Sequence, residues 1–139
     1  MRTIHLDLET DGSGGFADDS YDDPIRCAMG EVLFQAGVPL ETLEALGCSE
    51  NLVHDWPVLD RLRQYVGWAG TDLELIRACQ RIERIYDIAA ATAIKRKREQ
   101  ADRLLIRAGR RIGVVFILDG KLQLEHQPHG NLAGVLADA

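Results

Sequence analysis

The sequence predicts an α+β domain in which a small, mainly antiparallel sheet of about three strands packs on four to five helices. Three observations support this fold class. Polar and apolar residues alternate near the N-terminus, a segment without Gly or Pro covers 71–108, and a continuous apolar segment follows it. With 139 residues, of which 46% are hydrophobic, the chain is expected to form a single domain, 1–139, around its own core.

The strands are predicted at both ends of the chain. Residues 3–9 alternate as a strand with one buried face does. Residues 112–118 are apolar throughout, which is typical of a central strand that is covered on both faces. An Asp-Gly pair follows and indicates a two-residue turn into a third strand at 121–126. Residues 112–126 would then form a C-terminal β-hairpin.

A helical middle, 25–109, is predicted after a Gly- and Asp-rich acidic loop at 10–24. Its main element is one long or bent helix at 71–108, where Thr71 and Glu74 have the spacing of a capping box. A straight helix of that length would measure about 57 Å, whereas a compact domain of this size is roughly 37 Å across. The helix must therefore bend, break or project, and a projecting helix would favour a homodimer.

The charge distribution suggests a protein-binding function. Residues 1–60 hold 13 Asp and Glu but only 2 Lys and Arg, within a net charge of −6 for the chain. We expect a non-enzymatic interaction or inhibitor protein that docks an acidic surface on a basic partner, such as nucleic-acid-handling machinery, in the manner of phage or mobile-element accessory proteins. The predicted contacts are Asp18, Asp19, Asp22 and Asp23.

A basic segment supports a second hypothesis, nucleic-acid binding. Residues 95–111 hold 8 Lys and Arg against 2 acids, and no aromatic residue is present there to stack on bases. Contact would therefore involve the phosphate backbone. The predicted contacts are Lys95, Arg96, Lys97, Arg98, Arg103, Arg107, Arg110 and Arg111.

The first strand supports a third hypothesis, a divalent-metal phosphodiesterase or nuclease. Asp7 and Glu9 lie two residues apart on one strand face, about 7 Å between Cα atoms, and could share Mg²⁺ or Mn²⁺. Asp11 adds a third carboxylate, and acidic residues at every second position also resemble a Ca²⁺-binding loop. The competing interpretation is a solvated strand face that binds no cofactor.

Residues 6–12, LDLETDG, resemble the first motif of the DEDD (DnaQ-like) exonucleases. In that family the leading Asp and Glu hold two metal ions that hydrolyse phosphodiesters, so the resemblance implies metal-ligand roles for Asp7 and Glu9. The family continues with further strands and two more acidic motifs, whereas helices are predicted next in this chain. The resemblance is therefore confined to seven residues.

The sequence predicts a cytoplasmic protein without a membrane partner. It has no apolar run of about 18 residues, and its first residues lack the apolar core of a signal peptide. Cys27, Cys48 and Cys79 form no CxxC pair, so we expect reduced, buried thiols rather than disulfides or a zinc site.

Overall fold

The computed structural model of the chain describes residues 2–7, 27–91 and 95–119. In chain order the elements are strand β1 (Arg2–Asp7), helices α1 (Ala28–Gln35) and α2 (Leu40–Leu46), a 3₁₀ helix (Ser49–His54), helices α3 (Trp56–Val66), α4 (Asp72–Ala91) and α5 (Lys95–Ile112), and strand β2 (Val114–Asp119). The predicted α+β class is confirmed, and the described part of the chain is mostly helical. The acidic loop 10–24 and the strand at 121–126 lie outside the described residues.

The sheet differs from the prediction, because β1 and β2 pair in parallel. The predicted antiparallel arrangement of 3–9 with 112–118 is therefore wrong. The physical reason is the connection between them. Parallel neighbours need a long crossover, and here all the described helices lie between the two strands in the sequence. The apolar run in β2 is itself typical of a parallel strand, which is usually buried on both faces.

The end of α3 anchors the beginnings of both strands. Arg2, at the start of β1, donates a hydrogen bond to the carbonyl of Tyr65, and its guanidinium carbon lies 4.0 Å from the centroid of the Tyr65 ring. On the other strand, Gly113 immediately precedes β2 and packs against the carbonyl of Val66. The first residues of β1 and β2 are thus fixed to one helix end, and their carboxyl ends lie at the opposite edge of the sheet.

The segment 71–108 is not one long helix. It forms α4 and α5, which pack against each other. Most described apolar positions of both helices are buried within the chain, although Leu73 is exposed, so the projecting helix that would favour a homodimer is absent from the described structure. The buried side chains of these helices, among the described residues, are Leu75, Ile76, Cys79, Ile82, Ile85, Tyr86, Ala101, Leu105, Ala108 and Ile112.

The sequence predicts the start of α4 correctly, but it does not predict the end of α5. The predicted capping box is confirmed, since the Glu74 N–H donates to Thr71 Oγ1 at 3.2 Å and the Thr71 N–H donates to Glu74 Oε2 at 3.2 Å. The predicted end of the helical segment at residue 108 is wrong, because α5 continues to Ile112. A Cβ atom at Gly109 would lie 2.6 Å from the Phe116 ring, so this glycine permits close packing of α5 on β2.

Helix α1 lies at the centre of the core. Met29, Val32 and Leu33 are completely buried, and α1 contacts α2, α3, α4 and β1. This burial on several sides explains its high content of apolar residues. In the described residues, no helix has the length and apolar character that crossing a membrane requires.

Candidate functional site

The carboxyl edge of the sheet brings two acidic residues together. β1 and β2 both end in Leu-Asp, and the parallel register places Asp7 opposite Asp119. Neighbouring strands lie about 4.8 Å apart, so the two Cα positions are close. Ligands of sheets with parallel strands commonly bind beyond the carboxyl ends. This edge is therefore one candidate site of the molecule.

The sequence patterns assign Asp119 to a hairpin turn and do not indicate it as a site residue. The signal that could have identified it is the shared Leu-Asp ending of the two strands together with the parallel character of β2. The predicted partners of Asp7, namely Glu9 and Asp11, lie outside the described residues. Within the described ranges, no group of three or more His, Cys, Asp or Glu residues is positioned to hold a metal ion.

Comparisons with family models, curated proteins and solved structures found no match for this chain. Function therefore has to be inferred from the geometry and chemistry of the chain itself.

A second candidate site is an open groove of about 440 Å³ between α2, the 3₁₀ helix and the start of α3. The side chain of Asn51 joins two of these elements by donating a hydrogen bond to the carbonyl of Leu46. Asp55 caps α3 by accepting a hydrogen bond from the Val58 N–H at 3.1 Å. The groove is lined by Glu41, Thr42, Ala45, Leu46, Asn51, His54 and Asp55.

The surroundings of this groove are acidic. Residues 38–60 hold 5 Asp and Glu and no Lys or Arg. Of these acids, Asp60 is neutralised by an ion pair with Arg63 at 2.6 Å, whereas Glu41, Glu44 and Glu50 are exposed. We call the groove together with these three glutamates the acidic surface. Its field attracts cationic groups, since no basic side chain of this segment opposes it.

Two large exposed apolar side chains are direct sequence neighbours of groove residues. Trp56 is 58% exposed and Val53 is 41% exposed, and both directly flank the groove residues His54 and Asp55 in the sequence. Trp is one of the residues that most often carry binding energy at protein interfaces. The structure therefore adds apolar anchors that the charge pattern alone did not reveal.

Some of the predicted site residues lie in the described part of the chain and others lie outside it. Asp18, Asp19, Asp22 and Asp23 lie outside the described residues and remain predicted contacts. Lys95–Arg98 form the first turn of α5. Arg103 and Arg107 are exposed on the same helix, which is compatible with the predicted basic contact surface.

A buried polar cluster joins α1 to α4. The carboxyl of Glu83 accepts a hydrogen bond from the Met29 N–H and is hydrogen-bonded to the Cys27 thiol. Cys27 also caps α1, because its Sγ accepts a hydrogen bond from the Gly30 N–H at 3.2 Å. The cluster thus satisfies two of the free N–H groups in the first turn of α1.

Burial controls the ionisation of this cluster. Although the Glu83 residue is only half-buried, its carboxyl end lies against α1, and desolvation raises its pKa to about 7 despite the two hydrogen bonds that favour the carboxylate. Burial, assisted by the Glu83 carboxylate, raises the pKa of the Cys79 thiol far above its usual range. The prediction of buried thiols is confirmed for Cys27 and Cys79, but it is wrong for Cys48, which is exposed.

Proposed function

We propose that this chain is a non-enzymatic interaction protein that docks its acidic surface on a Lys- and Arg-rich surface of a partner protein. The observation that carries the proposal is the combination, within residues 41–56, of an open groove, exposed glutamates and an exposed Trp56. Apolar anchors provide affinity, whereas the surrounding carboxylates accelerate encounter and select a cationic partner. Proteins that handle nucleic acid carry such basic surfaces, which makes them the expected class of partner.

The contribution of charge can be tested with two variants of equal net charge. Glu41→Gln/Glu44→Gln removes two carboxylates from the acidic surface, while Glu74→Gln/Glu99→Gln removes two exposed carboxylates elsewhere, and each changes the net charge from −6 to −4. The probe is a synthetic helical peptide of about 20 residues with Lys and Arg on one face and Leu on the other. We expect about 10-fold weaker binding by calorimetry for the first variant and less than about 2-fold for the second.

The same titration tests the apolar anchor. Trp56→Ala is expected to weaken peptide binding by about 10-fold or more, as is typical of a Trp at the centre of an interface. Equal losses in the two charge variants would indicate non-specific attraction by net charge and would contradict the proposal. Unchanged binding by Trp56→Ala would also contradict it, because the apolar contact would then be absent.

A second candidate function is divalent-cation binding at the carboxyl edge, as a phosphodiesterase would require. The specific observation in its favour is the register that places Asp7 opposite Asp119. Like charges at directly opposed positions of neighbouring strands are destabilising, and a bound cation would remove that repulsion. Carboxylates of this kind are ligands for Mg²⁺, Mn²⁺ and Ca²⁺. Among the described residues the next elements after β1 are helices, whereas in the DEDD exonucleases the first strand is followed directly by further strands.

Thermal unfolding with and without Mg²⁺, Mn²⁺ or Ca²⁺ tests this second candidate. A cation that binds only the folded state stabilises it by about 2.7 kcal/mol at 100 times its Kd, which corresponds to a rise in Tm of roughly 8 °C. We expect Asp7→Ala and Asp119→Asn to abolish the rise and Glu50→Gln, an exposed control, to retain it. A rise that persists in Asp119→Asn would exclude this edge as the cation site.

A further inference from the structure

The exposed face of α5 carries a regular arrangement of arginines. Arg103, Arg107, Arg110 and Arg111 are all exposed. At 3.6 residues per turn and about 1.5 Å of rise per residue, these positions fall within about 100° around the helix and about 12 Å along its axis. We call these four residues the arginine stripe. The opposite side of α5 packs on α4 and β2, so the helix presents the stripe from a fixed position.

The arginine stripe has no salt-bridge partner among the residues that the structure describes. Within the described part of the chain, salt bridges form at Arg63, and none of the four stripe arginines takes part in one. Glu99, which precedes Arg103 by four residues, is exposed and does not pair with it. A row of unneutralised cations on one helix face attracts a polyanion.

We propose that the arginine stripe binds the phosphate backbone of a nucleic acid without reading its sequence. All four residues are Arg, whose planar guanidinium can donate two parallel hydrogen bonds to one phosphate. None of the large apolar side chains that are exposed in the described structure lies on α5; they are Phe34, Val53, Trp56 and Leu73. A protein partner would need such an apolar centre, which the acidic surface has and the stripe lacks.

The sequence of α5 argues against binding that depends on aromatic stacking with bases. No aromatic side chain is present in residues 95–112, so this helix cannot stack on exposed bases. The Lys- and Arg-rich first turn of α5 at Lys95–Arg98 extends the basic character of the helix towards its N-terminus. This inference does not rest on the proposed docking of a basic partner, because the two activities use different surfaces and different probes.

The salt dependence of binding provides the first test. The probe is a fluorescein-labelled 20-base-pair DNA duplex of mixed sequence, and anisotropy is measured with the full chain at several salt concentrations. Four phosphate contacts predict a slope of log K against log salt between about −3 and −4, so affinity should fall about 100-fold between 50 and 200 mM. A duplex of scrambled sequence should bind with the same affinity. No binding at 50 mM salt, or binding that is insensitive to salt, would overturn the proposal.

Two double variants of equal charge localise the contact. Arg103→Gln/Arg107→Gln and Arg77→Gln/Arg84→Gln each change the net charge from −6 to −8, and all four arginines are exposed. We expect the first variant to bind on the order of 100-fold more weakly at 50 mM salt, with a slope reduced by about two, and the second to bind as the wild type does. Thermal unfolding of each variant confirms that it is folded.

Two further outcomes would overturn the proposal, and the second tests whether the arginine stripe prefers phosphates to carboxylates. Equal losses in both double variants would assign binding to bulk charge and overturn the proposal. Polyglutamate of matched total charge serves as a competitor, because it offers carboxylates without phosphates. We expect it to compete at least 10-fold less effectively than unlabelled duplex. Equally effective competition would mean that the stripe is a site for acidic proteins, which would also overturn the proposal.

Discussion

Replacing Gly113 with Ala is expected to lower the free energy of unfolding by about 2–4 kcal/mol, one of the largest effects available from a single methyl group. Gly113 has φ +94°, a conformation that costs a non-glycine residue about 1–2 kcal/mol. Its Cβ would also lie 2.5 Å from the carbonyl oxygen of Val66, which is backbone and cannot move independently. For a chain of this size we expect a decrease in Tm of about 10 °C, measured by calorimetry.

Gly67 provides a matched control for the backbone component. It also has a positive φ, +71°, but a Cβ there would meet nothing within 4 Å. Gly67→Ala should therefore cost only the conformational part, about 1 kcal/mol. Equal destabilisation by the two substitutions would show that the contact with Val66 contributes nothing. Because Gly113 directly precedes β2, the stronger variant should also disturb the register that places Asp119 opposite Asp7.

Local elements could be predicted from the sequence where interactions between residues a few positions apart determine them. The capping box at Thr71 depends on residues a few positions apart, and the structure has it as expected. The existence of β1 and β2 followed from patterns of apolar residues. These features need no knowledge of which elements pack together.

The arrangement of the elements was not predictable from the same patterns. The length of the stretch at 71–108 required a bend, a break or a projection, but its sequence did not indicate which. Burial of both apolar faces against each other makes two packed helices better than one projecting helix. Likewise, strand direction depends on the whole crossover and not on either strand. The pairing of Asp7 with Asp119, and the exposure of Trp56 beside the groove, therefore emerged only from the tertiary structure.

Replacing Glu83 with Gln is expected to stabilise the protein at neutral and higher pH. Burial raises the pKa of Glu83 in the folded protein from 4.5 to about 7, so the folded state retains a proton that the unfolded chain releases. The stabilisation linked to that proton is complete below about pH 4.5 and is lost as the pH rises to about 7. The loss amounts to about 2–3 kcal/mol, reduced from the full conversion because the residue is half-buried.

The amide that Glu83→Gln introduces would still accept the hydrogen bond from Met29 but could not ionise, so the comparison isolates the charge. Urea denaturation between pH 4.5 and 8 should show nearly equal stability of wild type and Glu83→Gln at pH 4.5 and a gap that widens to about 2–3 kcal/mol at pH 8. Glu50→Gln, which removes an exposed carboxylate, reports the effect of net charge alone. A gap of the same size in Glu50→Gln, or a gap for Glu83→Gln that does not change with pH, would show that the cluster joining α1 to α4 does not titrate in this range.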